Sequence, residues 1–162
     1  MFIRRTKTTS ENSLASQLQR SFSRSKRVLF VDDDVELCRF MERAISRRFK
    51  VEIVSVPRAN QARELLAEDP GFDAAIFDVR VTNGDGIQLY ADVKDAMPGL
   101  KVVFLTGYYS DEIRRKIEAI GPARVYSKDR AMQIDFMEQL LRELGVADQA
   151  PPQTSLRVFA TA

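Results

Sequence analysis

Five short apolar runs alternate with five segments of helical periodicity, which predicts an open α/β protein with right-handed crossovers. The runs are rich in Val, Ile and Phe and nearly free of polar residues, as parallel strands covered by helices on both faces are. Four of the five runs end in a carboxylate, a hydroxyl or an ammonium group, and in such sheets function gathers at the carboxyl edge.

In chain order, residues 28–31 form the first strand and lead into Asp32, Asp33 and Asp34. A helix is predicted over 34–49, with Leu37, Met41 and Ile45 in register and Asp34 placed to cap its first turn. Strand 51–56 precedes a helix over 58–68 that carries Ala62, Leu65 and Leu66 on one side. Strand 74–77 ends at Asp78, and the loop to Asp85 is dense in turn formers in its second half. The third helix, 86–96, presents Ile87, Tyr90 and Val93. Strand 102–105 ends at Thr106, and the charged helix 110–120 keeps Ile113, Ile117 and Ile120 as its apolar stripe. A weaker strand, 123–126, leads to Lys128, and the last helix, 131–144, carries Met132, Phe136, Leu140 and Leu144.

A chain of 162 residues suits one domain with a substantial core, and 44% apolar with 30% charged residues is a globular balance. No apolar stretch approaches a membrane span and residues 1–25 lack a signal-peptide core, so a cytoplasmic protein is expected. Residues 1–25 read as a basic, polar extension, in which Leu14, Leu18 and Phe22 are spaced for a short amphipathic helix. Residues 26–146 read as the domain and 147–162 as a tail punctuated by Pro151 and Pro152. The net charge of +2 divides into +6 for residues 1–27 (seven basic, one acidic) and −4 for the rest. A mildly acidic domain does not argue for direct nucleic-acid binding. The single cysteine, Cys38, excludes an intramolecular disulfide and reads as a buried, inert thiol. With no histidine in the chain, a histidine base is impossible.

Adjacent carboxylates at a strand end raise one another's pKa or recruit a cation, and an oxygen-only ligand set suits Mg²⁺ or another hard ion. Helix capping is the competing explanation for the same aspartates. Asp78, beside that acidic pair and ahead of a flexible loop, is placed as a nucleophile toward a phosphoryl group. Mg²⁺ would screen the approach of two anions, Lys128 would supply a mobile cation, and the Thr106 hydroxyl would donate to a phosphoryl oxygen.

An acidic pair after strand one, an aspartate after strand three, a threonine after strand four and a lysine after strand five make residues 26–146 resemble a receiver domain of two-component response regulators. The Asp85-Gly86 and Thr106-Gly107 pairs match as well. The resemblance implies a flavodoxin-like sheet of five strands in the order 2-1-3-4-5. It implies Mg²⁺ held by Asp33 and Asp78 directly, by Asp32 largely through water, and by the carbonyl of Arg80. It also implies that Asp78 accepts phosphate from a sensor histidine kinase or a histidine phosphotransfer protein. Arg80 and Tyr108 fall where receivers tune hydrolysis of the phosphoryl group.

The output expected is a conformational shift of the face made by helix 110–120, strand 123–126 and helix 131–144. That face would meet a downstream protein or a second copy of the chain, in a receiver that stands alone. Three residues depart from the family pattern. Thr82 stands where proline is usual and is expected to loosen its loop. Asp129 follows Lys128 in place of proline, so the Lys128–Asp129 bond is expected trans and Lys128 aimed differently. Val125 stands at the usual switch-aromatic position, and Tyr126, one residue later, is expected on the opposite face. Two rival readings remain: a receiver-like binding module that works without phosphorylation, and a small phosphohydrolase resembling the haloacid dehalogenase group with Asp32 and Asp34 as its acidic pair.

Overall fold

The computed structural model describes residues 25–147. The extension and the tail, including the stripe Leu14, Leu18 and Phe22 and the prolines Pro151 and Pro152, lie outside the described residues apart from their junctions at Ser25 and Ala147. Strands β1 (Arg27–Val31), β2 (Glu52–Val56), β3 (Ala74–Phe77), β4 (Lys101–Thr106) and β5 (Arg124–Ser127) pair in parallel in the order 2-1-3-4-5. Helix α1 is α-helical over Val35–Phe40 and Ser46–Phe49 and π-helical over Met41–Ile45 between them. Helices α2 (Ala59–Glu68), α3 (Gly86–Lys94) and α4 (Asp111–Ile120) complete the crossovers, and α5 (Ile134–Glu143) follows the last strand.

Strand side chains alternate between faces, and here the alternation builds two cores. Val28 and Phe30 of β1, Ile76 of β3 and Leu105 of β4 meet Met41 and Ile45 of α1 and Met137 and Leu140 of α5. Leu29, Val31, Phe77 and Phe104 turn the other way, onto Leu66 of α2, Leu89 and Tyr90 of α3 and Ile117 of α4. Edge-to-face contacts join Phe104 to Phe77, with centroids 6.0 Å apart, and to Tyr90 at 5.7 Å. Edge strands β2 and β5 are only half-buried, which is why the fifth strand is the weakest apolar run in the sequence.

The structure departs from the sequence reading in several places. The π-helical stretch interrupts the single helix expected over 34–49. In an α-helix every fourth residue drifts about 40° around the axis, and one wider turn winds that drift back. Leu37, Met41 and Ile45 can thus all face the sheet, and all three are buried. The third helix stops at Lys94, two residues short of the expectation. The last helix starts at Ile134 and not Ala131, because Lys128–Arg130 forms a 3₁₀ turn capped by the Ser127 hydroxyl, which accepts from Asp129 N at 3.3 Å. Met132 is therefore exposed and not on the core stripe.

The expected loosening of the loop after Asp78 is overturned as well. Arg80–Val81 pairs antiparallel with Gly84–Asp85, and Thr82 and Asn83 form the tip of this two-residue-loop hairpin. Val81 is buried, and Asn83 takes the left-handed conformation the tip requires, at φ 55°. Gly84 lies so close to α2 that a Cβ there would stand 2.6 Å from the Cβ of Ala59.

Cys38 is half-buried on α1, and its thiol donates to the Asp32 carbonyl at 3.3 Å. Burial, reinforced by the negative charge of Asp32, pushes the thiol up to about 11. Only about one thiol in a thousand is then ionised at pH 8, so alkylation by iodoacetamide at that pH is expected to run more than tenfold slower than for a free thiol. Mass spectrometry of the time course checks it. At the end of α1, Lys50 holds a left-handed conformation, φ 54°, that glycine adopts without strain. Lys50→Gly is expected to raise stability by about 0.5–1 kcal/mol, read as a higher urea midpoint at unchanged slope.

Candidate functional site

Strand register brings the site together. Val31 pairs with Phe77, so Asp32 and Asp78, one residue on, leave adjacent strands at the same level. Their backbones continue the sheet: Asp78 N donates to Val31 O at 2.8 Å and Asp32 N to Val56 O at 3.1 Å. Both carboxylates are buried, Asp32 at 0% and Asp78 at 4% exposure. Thr106 pairs with Ser127, which puts Lys128 one residue beyond the level of Thr106. The floor is close-packed: a Cβ on Gly86 would fall 1.9 Å from the Asp78 carbonyl oxygen, so only glycine lets α3 begin there. Asp85 caps that helix by accepting from Ile87 N at 2.7 Å.

Lys128 ties the carboxylates together. Its Nζ lies 2.7 Å from Asp78 Oδ2, donates to Asp32 Oδ1 at 2.8 Å, and stands 2.7 Å from Asp32 Oδ2. The Lys128–Asp129 peptide is trans, as expected, yet the lysine is aimed at the acidic pair, contrary to the expectation that it would be redirected. Burial raises the Asp32 pKa, and the Lys128 ammonium and the Asp34 N–H offset that only in part. Burial alone would lower the Lys128 pKa, but hydrogen bonds to Asp32 and Asp78 outweigh it and hold the ammonium charged. Asp32 is thus the strained member of the pair and Lys128 the satisfied one.

Around this centre, the exposed Asp33 accepts from the Thr82 hydroxyl at 2.7 Å. Asp34 serves as the cap foreseen for it, its Oδ1 accepting from Glu36 N and Leu37 N at 3.0 Å each. That use turns Asp34 outward and removes the acidic pair the phosphohydrolase reading needs. Thr106 is fully buried, and its oxygen accepts from Tyr108 N at 3.1 Å, which leaves the hydroxyl hydrogen to be donated. Arg80 N approaches Asp78 Oδ1 at 3.3 Å, and the Arg80 guanidinium stacks 3.9 Å over the Tyr108 ring. Tyr126 is not brought to the site. It packs edge-to-face on Phe136 and its hydroxyl bonds Glu143 of α5, while Val125 faces the opposite core.

One oxygen each from Asp32, Asp33 and Asp78 lie within 4.8 Å of one another. That convergence is of the scale at which one hard cation is shared among carboxylates, directly or through water. Asp32 Oδ2 is buried with no hydrogen bond of good geometry, despite its closeness to the ammonium. A buried carboxylate oxygen without a well-aligned donor, in an oxygen-only donor set, fits a hard divalent cation. Sequence reasoning missed Thr82 as a partner of Asp33. The only local signal was the Thr82-Asn83-Gly84 turn composition, which says nothing of what the tip touches.

Residues 28–145 match the response regulator receiver domain family. The receiver protein CpdR of Brucella abortus is 29% identical over 103 residues, covering 64% of this chain and 84% of that protein. The DNA-binding transcriptional activator DevR/DosR of Mycobacterium tuberculosis is 33% identical over 105 residues, 64% of this chain and 48% of that one. Other relatives are much longer; the chain spans 19% of the Pseudomonas aeruginosa regulator PilR. Among solved structures, a CheY-like receiver from Methanospirillum hungatei superposes with a TM-score of 0.66 at 24% identity, over 75% of this chain and 95% of that one. TrrA of Thermotoga maritima, in complex with Mg²⁺ and beryllofluoride, gives 0.62 at 18% identity, over 74% and 98%. These likenesses in structure carry the fold, and the family match over most of the described domain carries the kinship: the chain belongs to the response regulator receiver domain family of two-component systems.

Proposed function

We propose that Asp78 is the phosphoacceptor of a phosphorelay and that its phosphorylation, dependent on Mg²⁺, controls a protein partner. The observation that carries this reading is the Lys128 ammonium held against Asp78 and Asp32 at the end of β1 and β3. A carboxylate oxygen of Asp78 attacks phosphorus as the bond to the donor breaks, a P–N bond for a phosphohistidine or a P–O bond for acetyl phosphate. The histidine comes from a sensor kinase or phosphotransfer protein, since this chain has none. Bound Mg²⁺ supplies charge stabilisation to the transferring group; Asp33 and Asp78 would hold it directly, Asp32 largely through water, and Arg80 through its carbonyl. Lys128 neutralises the gathering negative charge, and the Thr106 hydroxyl donates to the new phosphoryl group.

The domain is a signalling module whose own chemistry is limited to self-phosphorylation from a phosphodonor and slow autodephosphorylation. The readout is a population shift of the face formed by α4, β5 and α5 toward a downstream protein or a second copy. The similarity to CpdR, itself described as a response regulator receiver protein, supports the receiver reading. Among the described residues no helix is long and apolar enough to cross a membrane. The placement of Tyr126 against α5 favours one second reading, a binding module that keeps the fold but not the switch.

Intact-mass analysis after incubation with Mg²⁺ and acetyl phosphate is expected to show a single phosphate on the wild type and none on Asp78→Ala. No modification in a protein that binds Mg²⁺ would favour the second reading. The stack of Arg80 on Tyr108, two residues after Asp78 and Thr106, supports a role for their bulk and charge in slowing attack of water on the phosphoryl group. Arg80→Ala is therefore expected to shorten the lifetime of the phosphorylated protein severalfold in a decay assay; an unchanged lifetime removes that role.

A further inference from the structure

We infer that Thr82 is a positioning residue that sets the affinity of the acidic site for Mg²⁺ and its preference for Mg²⁺ over larger cations. The inference rests on the reading of Asp32, Asp33 and Asp78 as the cation site. Of those three, Asp33 is the one exposed carboxylate, and burial alone does not fix where it points. What fixes it is the Thr82 hydroxyl, donating to Asp33 Oδ2 at 2.7 Å from 49 positions along the chain.

That contact is built and not incidental to a mobile loop. Thr82 sits at the tip of a hairpin whose register is set by the pairs Arg80 with Asp85 and Val81 with Gly84. Buried Val81 anchors one arm, and the close approach of Gly84 to Ala59 anchors the other. The hairpin thus holds the hydroxyl in place while it engages one carboxylate oxygen and leaves Asp33 Oδ1 to a ligand. An exposed hydrogen bond adds little to stability in water, so its consequence is orientation. Orientation matters unequally among cations. Mg²⁺ demands near-octahedral oxygens at short range, whereas Ca²⁺ accepts more ligands in looser geometry. A carboxylate held by a neighbouring donor favours the stricter ion, and loss of such outer partners weakens metal sites markedly.

The test is calorimetric titration of the EDTA-stripped full chain with MgCl₂ and with CaCl₂, on wild type, Thr82→Val and Thr82→Ser, with Asp33→Asn as the site control. Thr82 is exposed, so the isosteric valine is expected to leave the melting temperature in EDTA unchanged. Thr82→Val is expected to raise the Mg²⁺ dissociation constant roughly tenfold and the Ca²⁺ constant by less than about twofold. Thr82→Ser keeps the hydroxyl and is expected to restore Mg²⁺ binding. An unchanged or tighter Mg²⁺ constant in Thr82→Val, or equal weakening toward both ions, overturns the inference while the cation site stands. Absence of Mg²⁺ binding by the wild type, with Asp33→Asn no different, overturns the cation site and this inference with it.

Discussion

The ammonium of Lys128, seated between the buried carboxylates of Asp32 and Asp78, is the interaction on which the rest of the arrangement turns. Parallel register forces those two carboxylates to the same level on adjacent strands, out of water and beside each other. Neither can be moved without shifting a strand by a residue, which would exchange the two cores face for face. Charge buried in this way is costly unless paired, and the pairing cation is the first residue of the turn that follows β5, the far edge strand. The sheet order thus also serves the electrostatics: pairing of β5 with β4 carries the lysine that follows it to the acidic end of β1 and β3.

The same balance makes the site responsive. One ammonium faces two carboxylates, burial already holds the Asp32 pKa high, and Asp32 Oδ2 is left without a hydrogen bond of good geometry. A site left short of positive charge by its own side chains is one that an added cation or an added phosphoryl group perturbs strongly. Around it the supports are rigid. Gly86 lets α3 abut the Asp78 carbonyl, and the Arg80–Asp85 hairpin is pinned to α2. At the centre of that stiff frame, the Lys128 ammonium and the buried Thr106 hydroxyl stand over the charge imbalance.

How much of this could be read from sequence follows from which interactions are local. Asp32, Asp78, Thr106 and Lys128 were legible because strand ends mark themselves, an apolar run followed by a polar residue, and the topology of an open sheet gathers those ends. The Asp34 cap was legible because it bonds two and three residues away. The π-helical stretch over Met41–Ile45 was not, since spacing by four fits an α-helix nearly as well. The hairpin after Asp78 was hidden because two-residue strands carry no periodicity, so a missing proline read as looseness when a ladder and a buried valine supply the stiffness. Lys128 was misjudged in direction for a similar reason: the pull of two buried carboxylates decides where its long side chain goes.

Tyr126 shows the strongest use of a purely local rule. Register sets Phe104 beside Val125 and Leu105 beside Tyr126, and alternation then assigns the first pair to the core of α2, α3 and α4 and the second to that of α1 and α5. Thr106 shares the parity of Phe104, so Val125 lies on its side of the sheet and Tyr126 does not. The Tyr126 ring instead closes against Phe136, with its hydroxyl on Glu143, which in turn lies 3.4 Å from Arg124. On the α4 side β5 thus presents the aliphatic Val125, and its aromatic Tyr126 lies on the other face. The connection from the acidic centre to α5 runs through the chain itself, along the 3₁₀ turn from Lys128 to Arg130 and into Phe136. In this receiver the lysine that balances the buried carboxylates also begins the segment that leads to Phe136 of α5 and its contact with Tyr126 of β5.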